Sequence, residues 1–382
     1  MTRRPAPPDA RFIGSEIYRR SSYGVRHPLA IPRVSTCIDL ARALGWLPDT
    51  AYIDSPVATA DQLARFHDPA YVAAVIEAER SQRAAPEIRQ RFNIGCNGNP
   101  VFPEIFRRPA TACGGSILAA TLLSQAGAAP RVIYSPAGGT HHGRRDRASG
   151  FCYFNDPVLA ILTLLDRGLA RVFYLDLDAH HGDGVQDALA TDPRVFTLSI
   201  HEAGRWPQRP DSHLGSAADR GAGQARNVPV PPGFNDAELD YLMDAAVMPL
   251  IQDFDPEAVV VQCGADALED DPMSKLSLSN GALWRAVRAV KAVAPKLLVL
   301  GGGGYNPWSV GRCWAGVWAQ LCDAEVPSRL PAAGESVLRG LTWRHRYGRN
   351  PPTHWFTSLA DPANDGPIRD EVRTMARQAV IP

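Results

Sequence analysis

The sequence predicts an α/β protein, a doubly wound and mostly parallel sheet with helices on both faces. Three observations carry that expectation. Short β-rich runs recur along the 382 residues, helical stretches alternate with them, and each run gives way within a few residues to Gly, His or Asp. Continuous apolar runs suit strands covered on both faces, as parallel sheets require. Alternation of β and α makes right-handed crossovers the expected connection. In such sheets ligands bind beyond the carboxyl ends of the strands, where these polar residues cluster.

In order, the predicted strands are RVIYS (131–135), RVFYLDLD (171–178), VFTLSI (195–200), AVVVQCG (258–264) and LLVLGGGG (297–304). Helical patterns fall at 157–166, 236–253 and 280–293, the last preceded by Ser279 and Asn280, which supply N-cap chemistry. The whole chain, 1–382, reads as one domain with its core over 18–321. The segment 322–382, rich in Pro and Arg from about Pro327, reads as a peripheral extension with one late helix near 370–379.

Composition is ordinary for a globular protein, with 45% apolar and 21% charged residues. With 40 basic and 40 acidic residues the formal charge is zero, which gives no reason to expect nucleic acid or a membrane surface as partner. No run approaches the roughly 18–20 apolar residues of a membrane span, and the arginines near the start precede no apolar h-region. Seven cysteines without C-x-x-C spacing read as reduced, buried thiols in a cytoplasmic setting.

Three clusters can do chemistry. DLDAHHGDG (176–184) leaves a strand with Asp176, Asp178 and His180 at period-two spacing, so they can point to one side. Such convergence costs several kcal/mol unless a cation or protons compensate it. A further carboxylate, Asp266, follows another strand in QCGAD. Two carboxylates and one imidazole leave a coordination position for water, which is what a hydrolytic metal site needs.

GGTHHGRRDRASGFCYFND carries His141 and His142 on a glycine-flanked loop, where they could be ligands, bases or a satisfied surface pair. Asp176 and Asp183 are available as their partners. LGGGGYNPW (300–308) lacks the GK[ST] ending of a phosphate loop. Its Tyr305 makes better sense as an electrophilic donor beside a metal than as part of a phosphate cradle.

Together GGTHH, GFCYFND, YLDLDAHHGDGV, QCGAD, DDPM and GGGGYN resemble the zinc-dependent histone deacetylase family, class I-like and close to its bacterial acetoin-utilisation and amidohydrolase relatives. The resemblance covers roughly Tyr18 to Leu321. It implies the arginase/deacetylase fold, a three-layer α/β/α sandwich, and removal of acyl groups from lysine. It also implies zinc on Asp178, His180 and Asp266, with ferrous iron suited to the same oxygen-rich set.

By the same resemblance His142 is the general base and acid, His141 its electrostatic partner and Tyr305 the carbonyl-polarising donor. Asp176 and Asp183 orient the histidines. Gly150, Phe151, Trp206, Met273 and Gly303 line the substrate tunnel, and Arg33 the internal acetate pocket. Structural potassium falls to Asp176, Asp178, His180, Ser199 and Ile200.

The chain departs from class I relatives at the rim, where Asn97 and Asn99 stand without a carboxylate. The expected partner is an acyl-lysine protein or peptide, or a small acylated amine. An acetylpolyamine deacetylase, a dinuclear ureohydrolase and a non-catalytic acyl-lysine scaffold are the alternatives. Glu269, Asp270 and Asp271 speak for the first, while Gly182 and Gly264 speak against the second.

Overall fold

The apolar runs become strands because each of their faces finds a hydrophobic partner. The computed structural model describes residues 9–126, 130–209 and 212–381. Residues 1–8 and Pro382, which the predicted domain includes, lie outside the described residues. Among those residues eight strands form one sheet. They are β1 (Ala10–Gly14), β2 (Tyr52–Asp54), β3 (Val132–Ser135) and β4 (Val172–Asp176), followed by β5 (Val195–Glu202), β6 (Ala225–Val230), β7 (Ala258–Gln262) and β8 (Leu297–Leu300). The spatial order is β2-β1-β3-β8-β7-β4-β5-β6, and every neighbouring pair is parallel.

Successive side chains of the central strands enter opposite layers. Phe173, Leu175, Val259, Val261, Leu297 and Val299 belong to one buried cluster. Val172, Tyr174, Ala258, Val260, Leu298 and Leu300 belong to the other. Helices Val34–Ala43, Asn280–Val293 and Pro307–Leu321 cover the first face, while Arg107–Leu123, Asp156–Asp166 and Asp183–Leu189 cover the second. The three-layer α/β/α arrangement is therefore present, with a sheet that is parallel throughout.

Three strands escape the apolar pattern. β1 and β2 are short and carry Arg11 and Asp54, and β6 carries Arg226, Asn227 and Pro229. β2 and β6 are the sheet edges. An edge strand tolerates a proline because one side of its ladder needs no donor. The predicted helix over 236–253 is also more structured than its pattern shows. It starts from a capping box between Asn235 and Glu238, widens over Met243–Val247 and resumes as Met248–Phe254. Pro249 lacks an N–H and crowds the carbonyl one turn back, which accounts for the widened turn. Of the cysteines, Cys96 and Cys322 are only half-buried and the other five are buried.

The segment after Leu321 is laced to the core. Leu338, Trp355, Leu359, Val372 and Ala376 join the largest buried cluster. Asn280 donates from Nδ2 to the Leu359 carbonyl at 2.8 Å, and Trp355 donates from Nε1 to Asp270 Oδ2 at 2.9 Å. Just before the last helix, Asp370–Val380, Arg369 grips the buried Glu238 carboxylate at 2.6 and 2.7 Å.

Burial opposes the charge on Glu238, yet the guanidinium and the Arg369 N–H hold its carboxyl below the usual range. Arg369→Ala would leave that carboxylate unpaired. Because the arginine is partly exposed, the expected loss is about 2 kcal/mol rather than the full penalty of a buried pair. Urea unfolding at pH 7 measures it, and a change within about 0.5 kcal/mol would show that this clamp is not holding the segment.

Candidate metal centre

β3, β8, β7 and β4 lie side by side, so the loops leaving their carboxyl ends meet at one place. Those loops carry every residue of the three predicted clusters. Asp176 ends β4, with Ser199 of β5 and Gln262 of β7 as its register partners. The chain then turns so that Asp178 and His180 face Asp266, which follows β7. All three are buried, and one ligand atom from each lies within 4.8 Å of the others. His180 Nδ1 is 2.9 Å from Asp266 Oδ2 and 3.3 Å from Asp178 Oδ1.

The donor chemistry fits a divalent cation. Burial lowers the proton affinity of His180, but Asp266 and Asp178 outweigh it and raise its pKa to about 10. An imidazolium between two buried carboxylates occupies the place of a positive charge that a metal would supply. The remaining lone pairs are already committed. Gly303 N–H donates to Asp178 Oδ2 at 2.6 Å, and Ala179 N–H donates to Asp266 Oδ1 at 3.0 Å.

Glycine is required where backbone meets carboxylate. A β-carbon at Gly303 would overlap Asp266, one at Gly264 would overlap Asp178, and one at Gly182 would overlap Asp176. None of the three has room for a side chain.

The predicted histidine pair is buried, each ring on its own carboxylate. His141 Nδ1 lies 2.8 Å from Asp176 Oδ2, and His142 Nδ1 lies 2.7 Å from Asp183 Oδ1. Their proton affinities diverge. Burial works against charge on His141, but Asp176 and Asp178 overcome it and hold its pKa at about 9. Burial and then the like charge of His141 push His142 down to about 4. Asp183 resists burial through His142 and Arg144 and stays at about 2. Burial holds the Tyr305 hydroxyl well above 10, so it is a proton donor at neutral pH.

The tunnel wall uses an uncommon backbone. Gly150 and Phe151 both have positive φ, 54° and 68°. Phe151 is fixed there by Asn99 Oδ1, which accepts its N–H at 3.0 Å, and by the Tyr23 hydroxyl, which donates to its carbonyl at 3.2 Å. A bulky residue in this conformation is strained, and strain of this kind collects at functional sites. The Trp206 ring stands 4.6 Å from His142 and would collide with any side chain at residue 150. Met273 packs against the cluster that contains Tyr305. Asn99 is fully buried and supports the Phe151 backbone.

Several supporting residues lie within the quoted motifs without having been singled out there, and His67 lies outside all of them. Tyr174 donates to Asp176 Oδ2 at 2.7 Å, and Gln262 donates to Asp178 at 3.4 Å. Asp271 accepts from Tyr305 N–H at 2.6 Å and so positions the tyrosine. Asp156 gathers the hydroxyls of Ser116 and Thr140 and the N–H of Gly139. Asn155 donates to the carbonyls of His141 and Gly143. Behind it, His67 accepts the Asn155 N–H at Nε2 and donates from Nδ1 to the Arg144 carbonyl, both at 3.0 Å. GFCYFND could have pointed to Asn155 and Asp156. Nothing in the pattern points to His67.

Residues 27–321 match the family model described as histone deacetylase domain. Histone deacetylase 1 of Homo sapiens is 34% identical over 315 residues, covering 81% of this chain and 64% of its own length. The chain thus spans less than two thirds of that curated relative. Two solved structures match almost end to end, each covering 97% of this chain and 99% of its own. One, a histone deacetylase homologue from Aquifex aeolicus, is 33% identical with a TM-score of 0.90. The other, a histone deacetylase homologue complexed with SAHA, is 34% identical with a TM-score of 0.89. No helix among the described residues is long and apolar enough to cross a membrane.

His67 yields a pH prediction. Burial lowers its pKa from 6.5 to about 4, so the unfolded chain binds the extra proton and stability falls as pH drops from 6.5 towards 4. In His67→Gln this contribution vanishes. The loss of unfolding free energy between pH 7 and pH 5 should be about 2 kcal/mol smaller in the variant than in the parent. Parallel slopes in denaturant titrations at the two pH values would contradict a neutral, buried His67.

Proposed function

The chain belongs to the histone deacetylase family, and from that premise we propose that it is a metal-dependent hydrolase removing acetyl or related acyl groups from lysine side chains. One observation carries the reading. Asp178 and His180, with Asp266 buried against them, line a cavity together with two histidines of opposite proton affinity and a protonated tyrosine. Groups whose surroundings drive their pKa values apart are those able to divide acid and base work between them.

Zinc, or ferrous iron on the same ligands, would supply Lewis acidity towards an amide oxygen and a water. The chain's own residues do the rest. His142 is a free base at neutral pH. Its Nδ1 is held by Asp183, so Nε2 is left to take the proton of the attacking water and return it to the departing amine. His141, kept protonated by Asp176, places positive charge beside that transfer. Tyr305 donates its hydroxyl to the oxygen that gains charge as water adds. Gly150 and Phe151 wall the approach, and Trp206 stands beside them over His142. Asp176 ends β4 opposite Ser199 of β5, with Ile200 next along that strand and Asp178 and His180 just beyond β4, and we assign structural potassium to these five residues.

The acylpolyamine reading has less support. Asp271 is spent on the N–H groups of Met273 and Tyr305, and Asp270 on Trp355. Neither is free to attract a cationic substrate.

A hydrolysis panel tests the proposal: acyl-lysine peptides, acylpolyamines and small acetamides, with chelation and metal add-back. Acyl-lysine turnover that chelator removes and metal restores is expected, and no turnover of any acyl-lysine would overturn the proposal. Tyr305→Phe should keep its metal while kcat falls by about 10²–10³. A near parental rate would remove Tyr305 from this role.

A further inference from the structure

The cavity that holds the candidate centre, about 60 Å³, is also lined by Tyr18, Tyr23, Arg33, Arg108, Pro109 and Ala112. Two of these are cations that lack a carboxylate, Arg108 buried and Arg33 half-buried. Arg33 donates from Nη1 to the Gly302 carbonyl at 2.7 Å and lies over the Trp314 ring. Arg108, near the start of helix Arg107–Leu123, donates from Nη1 to the Ser21 carbonyl at 2.8 Å and lies over the rings of Tyr18 and Tyr23. Neither guanidinium forms an ion pair among the described residues. Burial and the like charge of Arg108 both lower the pKa of Arg33.

Acidic groups nearby are already engaged. Asp178 and Asp266 belong to the metal centre. Asp156, behind Gly138 and Gly139, is saturated by Ser116, Gly139 and Thr140. An uncompensated buried cation costs several kcal/mol; Arg108 is one, and the half-buried Arg33 faces the same cavity. A released monocarboxylate would balance one of them. The second is surplus for a deacetylase.

We propose that Arg33 and Arg108 form a recognition site for a carboxylate at the far end of the acyl group, so that the substrate class is lysine acylated by a short dicarboxylic acid such as succinate. The inference rests on the deacylase reading above and adds the identity of the acyl group. A neutral acyl chain of equal length would leave both guanidiniums facing methylene groups. A carboxylate accepts from both through charge-assisted hydrogen bonds. In the reaction water adds across the amide, the C–N bond breaks, the lysine amine takes a proton, and the acyl group leaves as the dicarboxylate.

One peptide carrying acetyl-, butyryl- or succinyl-lysine in turn tests this by kcat/KM. The succinyl form should exceed the butyryl form by at least about tenfold. Arg108→Leu should collapse that ratio, and Arg108→Lys should retain part of it. Acetyl or butyryl turnover with no succinyl preference, or a ratio indifferent to Arg108→Leu, would overturn the inference while leaving the deacylase reading intact. Absence of turnover on all three would overturn the deacylase reading itself. Calorimetric titration of the parent protein with succinate and with butyrate gives a measurement that needs neither turnover nor a variant. Succinate should bind at least about tenfold more tightly, and equal affinities would overturn the arginine site.

Discussion

Asp176, Asp178, Asp183, Asp266 and Asp271 are all buried beyond the ends of two neighbouring strands, and the pocket is arranged around the cost of their charges. Burial and then Asp178 raise the proton affinity of Asp266, and burial and then Asp266 raise that of Asp271. Such a group stays folded only if positive charge and hydrogen-bond donors are brought to it. His141, His142 and His180 each sit on one or more of these carboxylates, and Tyr174, Gln262 and the N–H groups of Ala179 and Gly303 take the remaining lone pairs. A divalent cation held by Asp178, His180 and Asp266 would complete this balance.

The same constraint explains the glycines. Backbone must approach the carboxylates closely enough to donate hydrogen bonds, so Gly182, Gly264 and Gly303 have no room for a β-carbon. Farther out, the paired positive φ values at Gly150 and Phe151 place an aromatic wall beside Tyr305, and buried Asn99 and Tyr23 hold that strained turn.

The sheet was legible where burial is two-sided. β3, β4, β5, β7 and β8 are continuous apolar runs because both faces are covered. β1, β2 and β6 were not legible, since they are short or carry arginine, asparagine and proline that edge or near-edge positions tolerate. In the site, Asp178, His180, Asp266, His141, His142 and Tyr305 stood out because reactive residue types sit directly after strands. His67, Tyr174, Gln262 and Arg108 did not. They lie inside helices, strands or unremarkable loops, and only burial and partners show what they do. Asn99 shows the reverse error, a rim residue by position that proves to be a buried support.

The central claim is that one cation, not two and not a proton, satisfies this cluster. Metal analysis of purified protein after loading and desalting tests it most directly. About one zinc or iron per chain, falling towards zero in Asp266→Ala, is the expected result. A count near two per chain, or occupancy unchanged by loss of Asp266, would contradict it.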